Sequence, residues 1–237
     1  MCFHMKNKKQ WENYAELYSY FIDELEDKKG NTDNVFPRII DMIGPVQKRK
    51  VLDYGCGEGR LARILYDLGA DVYAFDISKN MIKKGKEKNE NRKIIYSSDI
   101  NSKVIFRENF YDFIFCFMVL ITIKKGDLGC TLEKIYNVLK INGKAIFVNT
   151  NPETIGYKFE NFFSEIEKKS RKDGCPYKTF FRTSKGTFDI IDYYYSSIFL
   201  RELYKKSGFT VIHEETIDEQ FLLHIVEKGI YKTSFDH

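Results

Sequence analysis

The sequence predicts a doubly wound α/β fold: a seven-stranded, mostly parallel sheet between helices, with an N-terminal helical cap and an inserted helix-plus-hairpin lid. Three observations carry this expectation. Short apolar runs alternate with helix-period stripes from Val51 to Asn149, the pattern of repeated βαβ units. A glycine-rich loop, Gly55-Cys56-Gly57-Glu58-Gly59, follows the first of these runs directly. The last two apolar runs, Thr210–His213 and Phe221–Val226, are separated only by a polar segment, as an antiparallel pair at one end of a sheet would be.

The elements follow in order. Trp11, Tyr14, Tyr18, Phe21 and Leu25 recur at spacings of three and four, which predicts a helix. Gly30-Asn31-Thr32-Asp33-Asn34 breaks it, and Val35–Ile43 reads as a second short helix. Val51–Tyr54 reads as a strand, and Leu61, Ile64, Leu65 and Leu68 as a helix stopped by Gly69. Asp71–Phe75 is the next strand and Ser78–Glu90 the next helix, with Ser78 as its N-cap. Lys93–Tyr96 and the strongly apolar Tyr111–Met118 are further strands. Leu128, Leu132, Ile135 and Leu139 mark a helix, and Asn142-Gly143 reads as a turn into Lys144–Asn149. Asn149–Ser196 fits no βαβ unit; Lys178–Arg182, Ser184-Lys185-Gly186 and Thr187–Tyr195 read as a hairpin behind an inserted helix. Ile198–Lys206 is the last helix, closed by Gly208. The expected organisation is a helical cap over 1–45, a core over 46–149, a lid over 150–196, and a C-terminal helix and strand pair over 197–237 that complete the core.

Composition narrows the class. A chain of 237 residues suits one large domain carrying an insertion, and 43% apolar residues exclude a disordered chain. A net charge of +4 says little for a nucleic-acid partner. The five cysteines form no Cys-x-x-Cys pair and no zinc spacing, so no metal site is expected and a reduced, cytoplasmic chain fits best. The first ten residues are basic but lead into no apolar stretch, and Phe113–Ile123 is too short to span a bilayer as a helix. The aromatic load is uneven: residues 151–200 hold 12 of the 37 aromatic side chains, and the first 25 residues hold six.

A strand running into glycines and then a helix start is a nucleotide-shaped site, because glycine lets the backbone approach a ligand and helix amides point at it. The dinucleotide fingerprint fails, since Arg60 stands where its third glycine belongs, and no Gly-Lys-Ser/Thr phosphate loop is present. Asp53 and Glu58 would repel a diphosphate at short range and would suit a cationic ligand without phosphate. S-adenosylmethionine is such a ligand. A bare tight turn is the plain alternative for these glycines, and a helix-start residue the plain alternative for Asp76.

Val51–Arg60, with its Gly-x-Gly-x-Gly core, resembles the first motif of class I S-adenosylmethionine-dependent methyltransferases. Phe75-Asp76-Ile77-Ser78, Ser98-Asp99-Ile100, Tyr111-Asp112-Phe113-Ile114 and Leu139–Lys144 follow in the family's order. The resemblance covers about Val35 to Asn149 and implies a Rossmann-like sheet that binds S-adenosylmethionine and releases S-adenosylhomocysteine. It implies that Asp76 accepts from both ribose hydroxyls, that Asp99 accepts from the adenine amino group, and that the Ile100 amide donates to the ring. It places Gly55, Cys56 and Gly57 along the methionine part, Asp53 near its ammonium, Ile77 and Met81 beside the adenine, Phe117 near the methyl group, and Tyr14 or Tyr18 at the carboxylate.

The acceptor is less legible. The strand-four run Phe115-Cys116-Phe117-Met118 lacks the Asn/Asp-Pro-Pro-Tyr/Phe signature of adenine-N6 and glutamine enzymes. Cys116 lies in an apolar strand, where cysteine is inert core. Lys79–Lys93 holds six Lys and one Arg against two Glu, which reads as a solvated helix face. Asn149-Thr150-Asn151-Pro152 and the Gly186-to-Tyr195 run look like bacterial small-molecule methyltransferases of the toxoflavin-biosynthesis type. That implies a small metabolite methylated at N or O, with Phe117, Asn149, Tyr193, Tyr194 and Tyr195 as candidate substrate-lining residues; from charge and apolar runs, no membrane partner is expected and a nucleic-acid partner is disfavoured. Tyr193 and Tyr195 share one face of their strand and Tyr194 the other. A Tyr hydroxyl or Asp192 is a candidate acceptor orienter. No general base is evident, because Val119-Leu120-Ile121-Thr122 has no titratable group, and His213 and His224 read as core or edge residues. An RNA or protein methyltransferase and a non-catalytic binding protein are the competing readings.

Overall fold

The computed structural model describes residues 5–27, 32–159, 161–166 and 170–229. Cys2, the Gly30-Asn31 break and the side chain of Leu25 lie outside the described positions. Six helices are described: α1 (Met5–Asp27), α2 (Thr32–Ile43), α3 (Arg60–Asp67), α4 (Lys79–Glu87), α5 (Lys125–Val138) and α6 (Ser197–Lys206). The strands are β1 (Lys50–Tyr54), β2 (Asp71–Phe75), β3 (Ile95–Ser97), β4 (Tyr111–Phe117), β5 (Leu139–Thr150), β6 (Phe162–Glu165), β7 (Pro176–Thr183), β8 (Gly186–Tyr193), β9 (Phe209–Ile217) and β10 (Phe221–Lys228).

Seven strands form one sheet in the order β3-β2-β1-β4-β5-β10-β9, all parallel except the antiparallel β10. The chain starts at β1, winds outward to β3, then crosses back to β4. This switch point between β1 and β4 opens a crevice at the C-terminal edge of the strands, where such sheets bind ligands. Both faces are covered, so strand residues of either parity are apolar. Leu52, Ile114 and Cys116 pack under α5 and α6, and Val51, Phe113 and Phe115 under α2 and α3. Ser78 Oγ accepts from the Met81 N–H and starts α4 as the sequence predicts. Lys228 is a buried structural cation: its Nζ donates to Asn109 Oδ1 and to the carbonyls of Tyr136 and Leu139, each at 2.8 Å.

Two expectations are corrected. Asn142-Gly143 is not a free turn: Leu139–Thr150 runs as one strand with a register shift against β4, and Asn142 sits at φ 60° inside that irregularity. Among the described residues the insertion holds no α-helix, with a short 3-10 turn at Pro152–Thr154. In place of the expected helix β6 pairs antiparallel with β7, and β6, β7 and β8 form a second sheet. The reason lies in the residues: Phe162 and Phe163 stack opposite Phe181 and Phe180, and such cross-strand ring pairs favour a strand over a helix.

α1 joins the two sheets. Its Glu12 carboxylate accepts from the first backbone amides of α4, at Lys79 and Asn80, capping that helix against its dipole. Glu16 pairs with Lys84 and Asp23 with Lys88. On its other side Phe21 packs edge-on against Phe162 and Phe181, and Gln10 Oε1 accepts from the Ile191 amide.

Candidate functional site

A cavity of about 240 Å³ lies between the C-terminal edge of the large sheet, α1 and the small sheet. From the large sheet it is lined by Tyr54, Gly55 and Gly57 after β1, Phe75, Asp76 and Ile77 after β2, and Phe117, Met118 and Val119 after β4. α4 contributes Met81, and α1 contributes Trp11, Tyr18, Phe21 and Ile22. The small sheet contributes Phe162 and Ser164, Thr179 and Phe181, and Ile190 and Asp192. Rings wall it on three sides. Among the described residues the charged lining groups are Asp76 and Asp192, with no Lys, Arg or His beside them.

The glycine loop is shaped by two close approaches. Gly55 has φ 79°, and a Cβ there would meet Val119 Cγ2 at 2.2 Å, so only glycine lets the loop after β4 close against β1. Gly57 has φ 53°, and a Cβ there would meet nothing within 4 Å. It fronts open cavity. At the end of β4 the bulky Met118 holds φ 55°, an uncommon conformation for a side chain of its size, and its amide donates to the Val148 carbonyl at 2.7 Å.

Asp76 takes one backbone amide on each oxygen, from Gly57 at 2.9 Å and Ser78 at 2.8 Å, which fixes the carboxylate at the rim of β2. Burial raises its pKa to about 6, with those two hydrogen bonds opposing the rise. Asp53 stands behind the glycine loop, buried, with Oδ2 lacking a hydrogen-bond partner. Burial, reinforced by the nearby Asp76, raises Asp53 to about 7. The charge expected to serve a ligand from Glu58 is already used: its carboxylate accepts from Ser19 at 2.6 Å and Lys88 at 2.9 Å, locking α1 and α4 to the loop.

The structure brings Tyr18, Gly55, Gly57, Asp76, Ile77, Met81 and Phe117 together around one cavity. Phe117 stacks on Phe36 at 5.3 Å, which fixes its ring. Burial, then Glu58, Asp76 and Asp192 in that order, raise the Tyr18 hydroxyl well above its ordinary pKa, so it stays neutral. Other candidates stand elsewhere. Tyr14 packs on Phe188 between α1 and β8. Cys56 is half-buried with its thiol pKa pushed up by burial, so its side chain is unreactive. Asp99 is exposed and accepts from Asn101 of its own loop, and Ile100 packs against the core beside it.

Of the candidate substrate-lining residues, Asn149, Tyr193, Tyr194 and Tyr195 are not among those that line this cavity. Asn149 is buried under α6, near the Tyr204 hydroxyl. Tyr193 and Tyr195 belong to the main core, where the Tyr195 hydroxyl donates to the Ile123 carbonyl at 2.6 Å, and Tyr194 packs with Ile155 and Tyr177. These rings root the small sheet in the core. The cavity-facing side chains of β8 lie earlier, at Ile190 and Asp192, because only that part of the strand overhangs the crevice. Sequence alternation correctly separates the two faces but does not say where the strand leaves the crevice.

Residues 52–147 match the model of the methyltransferase domain. This segment is a class I methyltransferase domain. Its cofactor is S-adenosylmethionine. The chain is 25% identical to the N-demethylindolmycin N-methyltransferase of Streptomyces griseus, over 71% of each chain. Two further curated relatives align over only 54% and 23% of their own length. An S-adenosylmethionine-dependent methyltransferase from Clostridium acetobutylicum superposes with a TM-score of 0.65 at 18% identity, covering 92% of this chain and 99% of that one. The Burkholderia thailandensis 1,6-didemethyltoxoflavin-N1-methyltransferase gives 0.58 at 15% identity, covering 92% and 89%. At those identities the structures share the fold.

The cavity fits this cofactor on its own chemistry. The ligand is cationic, and Asp76 in the lining and Asp53 behind the glycine loop are carboxylates, while the described lining holds no Lys, Arg or His. Gly57 leaves backbone bare for close approach, and Tyr54, Phe75, Ile77 and Met81 supply apolar surface for a flat base. Among the described residues no group of three or more His, Cys, Asp or Glu is placed to hold a metal ion, and no helix is long and apolar enough to cross a membrane.

Proposed function

We propose that the enzyme methylates a small-molecule metabolite at N or O inside the ring-walled cavity. When bound, S-adenosylmethionine supplies an electrophilic methyl group on a sulfonium. In this reading Asp76 accepts from the ribose hydroxyls on lone pairs its two amide donors leave available, since a carboxylate offers about four acceptor sites. Asp53 faces the ammonium end from behind Gly55 and Gly57, Ile77 and Met81 flank the adenine, Asp99 and the Ile100 amide serve its edge, and Tyr18 closes over the methionine part. Phe117 lies where the acceptor meets the methyl group. The covering sheet and α1 exclude water and hold the acceptor in line, which can supply most of the required acceleration.

One observation carries the reading: the crevice at the switch point is closed over by aromatic side chains into a cavity of about 240 Å³, just under the usual range for small-ligand pockets. Within the basic stretch Lys79–Lys93, Lys84, Lys88 and Arg92 are paired with Glu16, with Asp23 and Glu58, and with Asp67, so these three are not a free phosphate-binding row. The similarity to an indolmycin-type N-methyltransferase supports nitrogen over oxygen as the acceptor atom. The test is label transfer from S-adenosylmethionine into cell extract, fractionated by size. Counts in the low-mass fraction support the reading, and counts in RNA or protein overturn it.

A further inference from the structure

Asp192 is 3% exposed, on β8, and faces the cavity from the covering sheet. Its Oδ2 accepts from Thr179 Oγ1 at 2.7 Å. Thr179 has one hydroxyl hydrogen and spends it there, so the 3.1 Å contact between Ser164 Oγ and Thr179 Oγ1 has Ser164 donating. Ser164, Thr179 and Asp192 thus form a relay of aligned dipoles across β6, β7 and β8. It leaves Asp192 Oδ1 with no hydrogen-bond partner, in a cavity otherwise walled at that end by Tyr18, Phe181 and Ile190. A carboxylate serving only to tie β7 to β8 would not keep a buried oxygen unmatched, because an orphaned buried acceptor costs stability.

We infer that Asp192 is the residue that recognises the methyl acceptor, and that this acceptor is a compact, largely apolar ring compound presenting an N–H group to Oδ1. This rests on the small-molecule reading above and gives that site its substrate class. The nitrogen would exchange its proton for the methyl group: the N–H proton passes to Oδ1, turning the carboxylate into a carboxylic acid, and the electron pair left on nitrogen forms the bond to the methyl carbon while the methyl–sulfur bond breaks and its pair stays on sulfur, leaving S-adenosylhomocysteine. Thr179 and Ser164 are positioning residues that hold Oδ2 and aim Oδ1. Burial raises Asp192 to about 7, with the Thr179 hydrogen bond opposing, so the group is matched to accept a proton near neutrality. The titratable groups that feel its charge are the hydroxyls of Tyr18 on α1, Tyr177 on β7 and the adjacent Tyr193. All three are raised, so they stay neutral.

The test uses the full chain saturated with S-adenosylhomocysteine and three probes of one shape: indole, 1-methylindole and indene. Saturation-transfer NMR measures their affinities. Indole is expected to bind wild type roughly tenfold or more tighter than 1-methylindole and indene, the worth of a hydrogen bond to a charged acceptor. Asp192→Asn and Thr179→Val are expected to remove most of that preference, and Thr179→Ser to restore it, while calorimetric affinity for S-adenosylhomocysteine is unchanged in all. Equal affinities for the three probes in wild type, no binding of any of them, or an undiminished preference in a folded Asp192→Asn protein would overturn the assignment. Label appearing in RNA or protein would sink the small-molecule reading while leaving these probe affinities as they are, so the two failures are separable.

Discussion

Replacing Asp53 by Asn tests whether the site stores an unpaired charge. In the cofactor-free protein Asp53 is buried, has one oxygen without a partner, and is raised from 3.8 to about 7. A folded-state pKa above the unfolded one means the ionised form is penalised on folding. The penalty is absent below pH 4, grows as pH rises from about 4 to 7, and is complete above 7. About three pKa units correspond to about 4 kcal/mol. Asn removes this penalty, keeps the oxygen that accepts from the Ala62 amide, and introduces an unpaired NH₂ donor costing about 1–3 kcal/mol at every pH. Asp53→Asn should therefore be less stable than wild type at pH 4 and more stable at pH 8. The swing in the difference is about 4 kcal/mol, or roughly 8–16 °C in Tm for a chain of this size. Calorimetric scans of both proteins without cofactor, at pH 4, 6 and 8, measure it. A Tm difference that stays constant across this range, or that swings the other way, would refute the reasoning. The same variant should bind S-adenosylhomocysteine more weakly, a trade of stability against function.

Gly57→Ala should fold, since its Cβ meets nothing within 4 Å, at a cost of about 1–2 kcal/mol for the left-handed backbone. The added methyl enters the cofactor's path, so calorimetry should show affinity for S-adenosylhomocysteine reduced roughly tenfold or more; an unchanged Kd would place the cofactor elsewhere. Lys228→Met leaves the buried Tyr136 and Leu139 carbonyls without their donor. It should cost about 2–5 kcal/mol by urea denaturation with cofactor affinity unaltered, and a loss below about 1 kcal/mol would show that water replaces the ammonium there.

How much of this the sequence disclosed follows from where each residue's partners lie. β1, β2 and β4 are legible because both their faces are buried and their apolar runs are continuous. α4 begins where Ser78 says, because capping is a local hydrogen bond. β3 is shifted from Lys93–Tyr96 to Ile95–Ser97, being a short, partly exposed strand whose bounds are set by β2 and not by its own pattern. Gly55, Gly57 and Asp76 could be picked out because their spacing along one strand, loop and neighbouring strand is itself the geometry of the site. The covering sheet could not be resolved the same way. Phe162 and Phe163 show their strand only once Phe180 and Phe181 stand opposite them. Asp192 is set apart from Asp189 by strand alternation, which sends Asp189 to the other face beside Lys178, but that it lines the crevice depends on which end of β8 overhangs it. Glu58 carries the right charge for a cationic ligand, yet Lys88, distant in the sequence, has claimed it.

The most direct measurement of the central claim is calorimetric titration of wild type and Asp76→Asn with S-adenosylhomocysteine and, separately, with NAD. Asn retains one acceptor oxygen at this position but loses the charge and the second. The account expects one equivalent of S-adenosylhomocysteine bound by wild type, affinity lowered at least tenfold in Asp76→Asn, and no heat from NAD. Binding of NAD alone, or S-adenosylhomocysteine binding that Asp76→Asn leaves untouched, would contradict it.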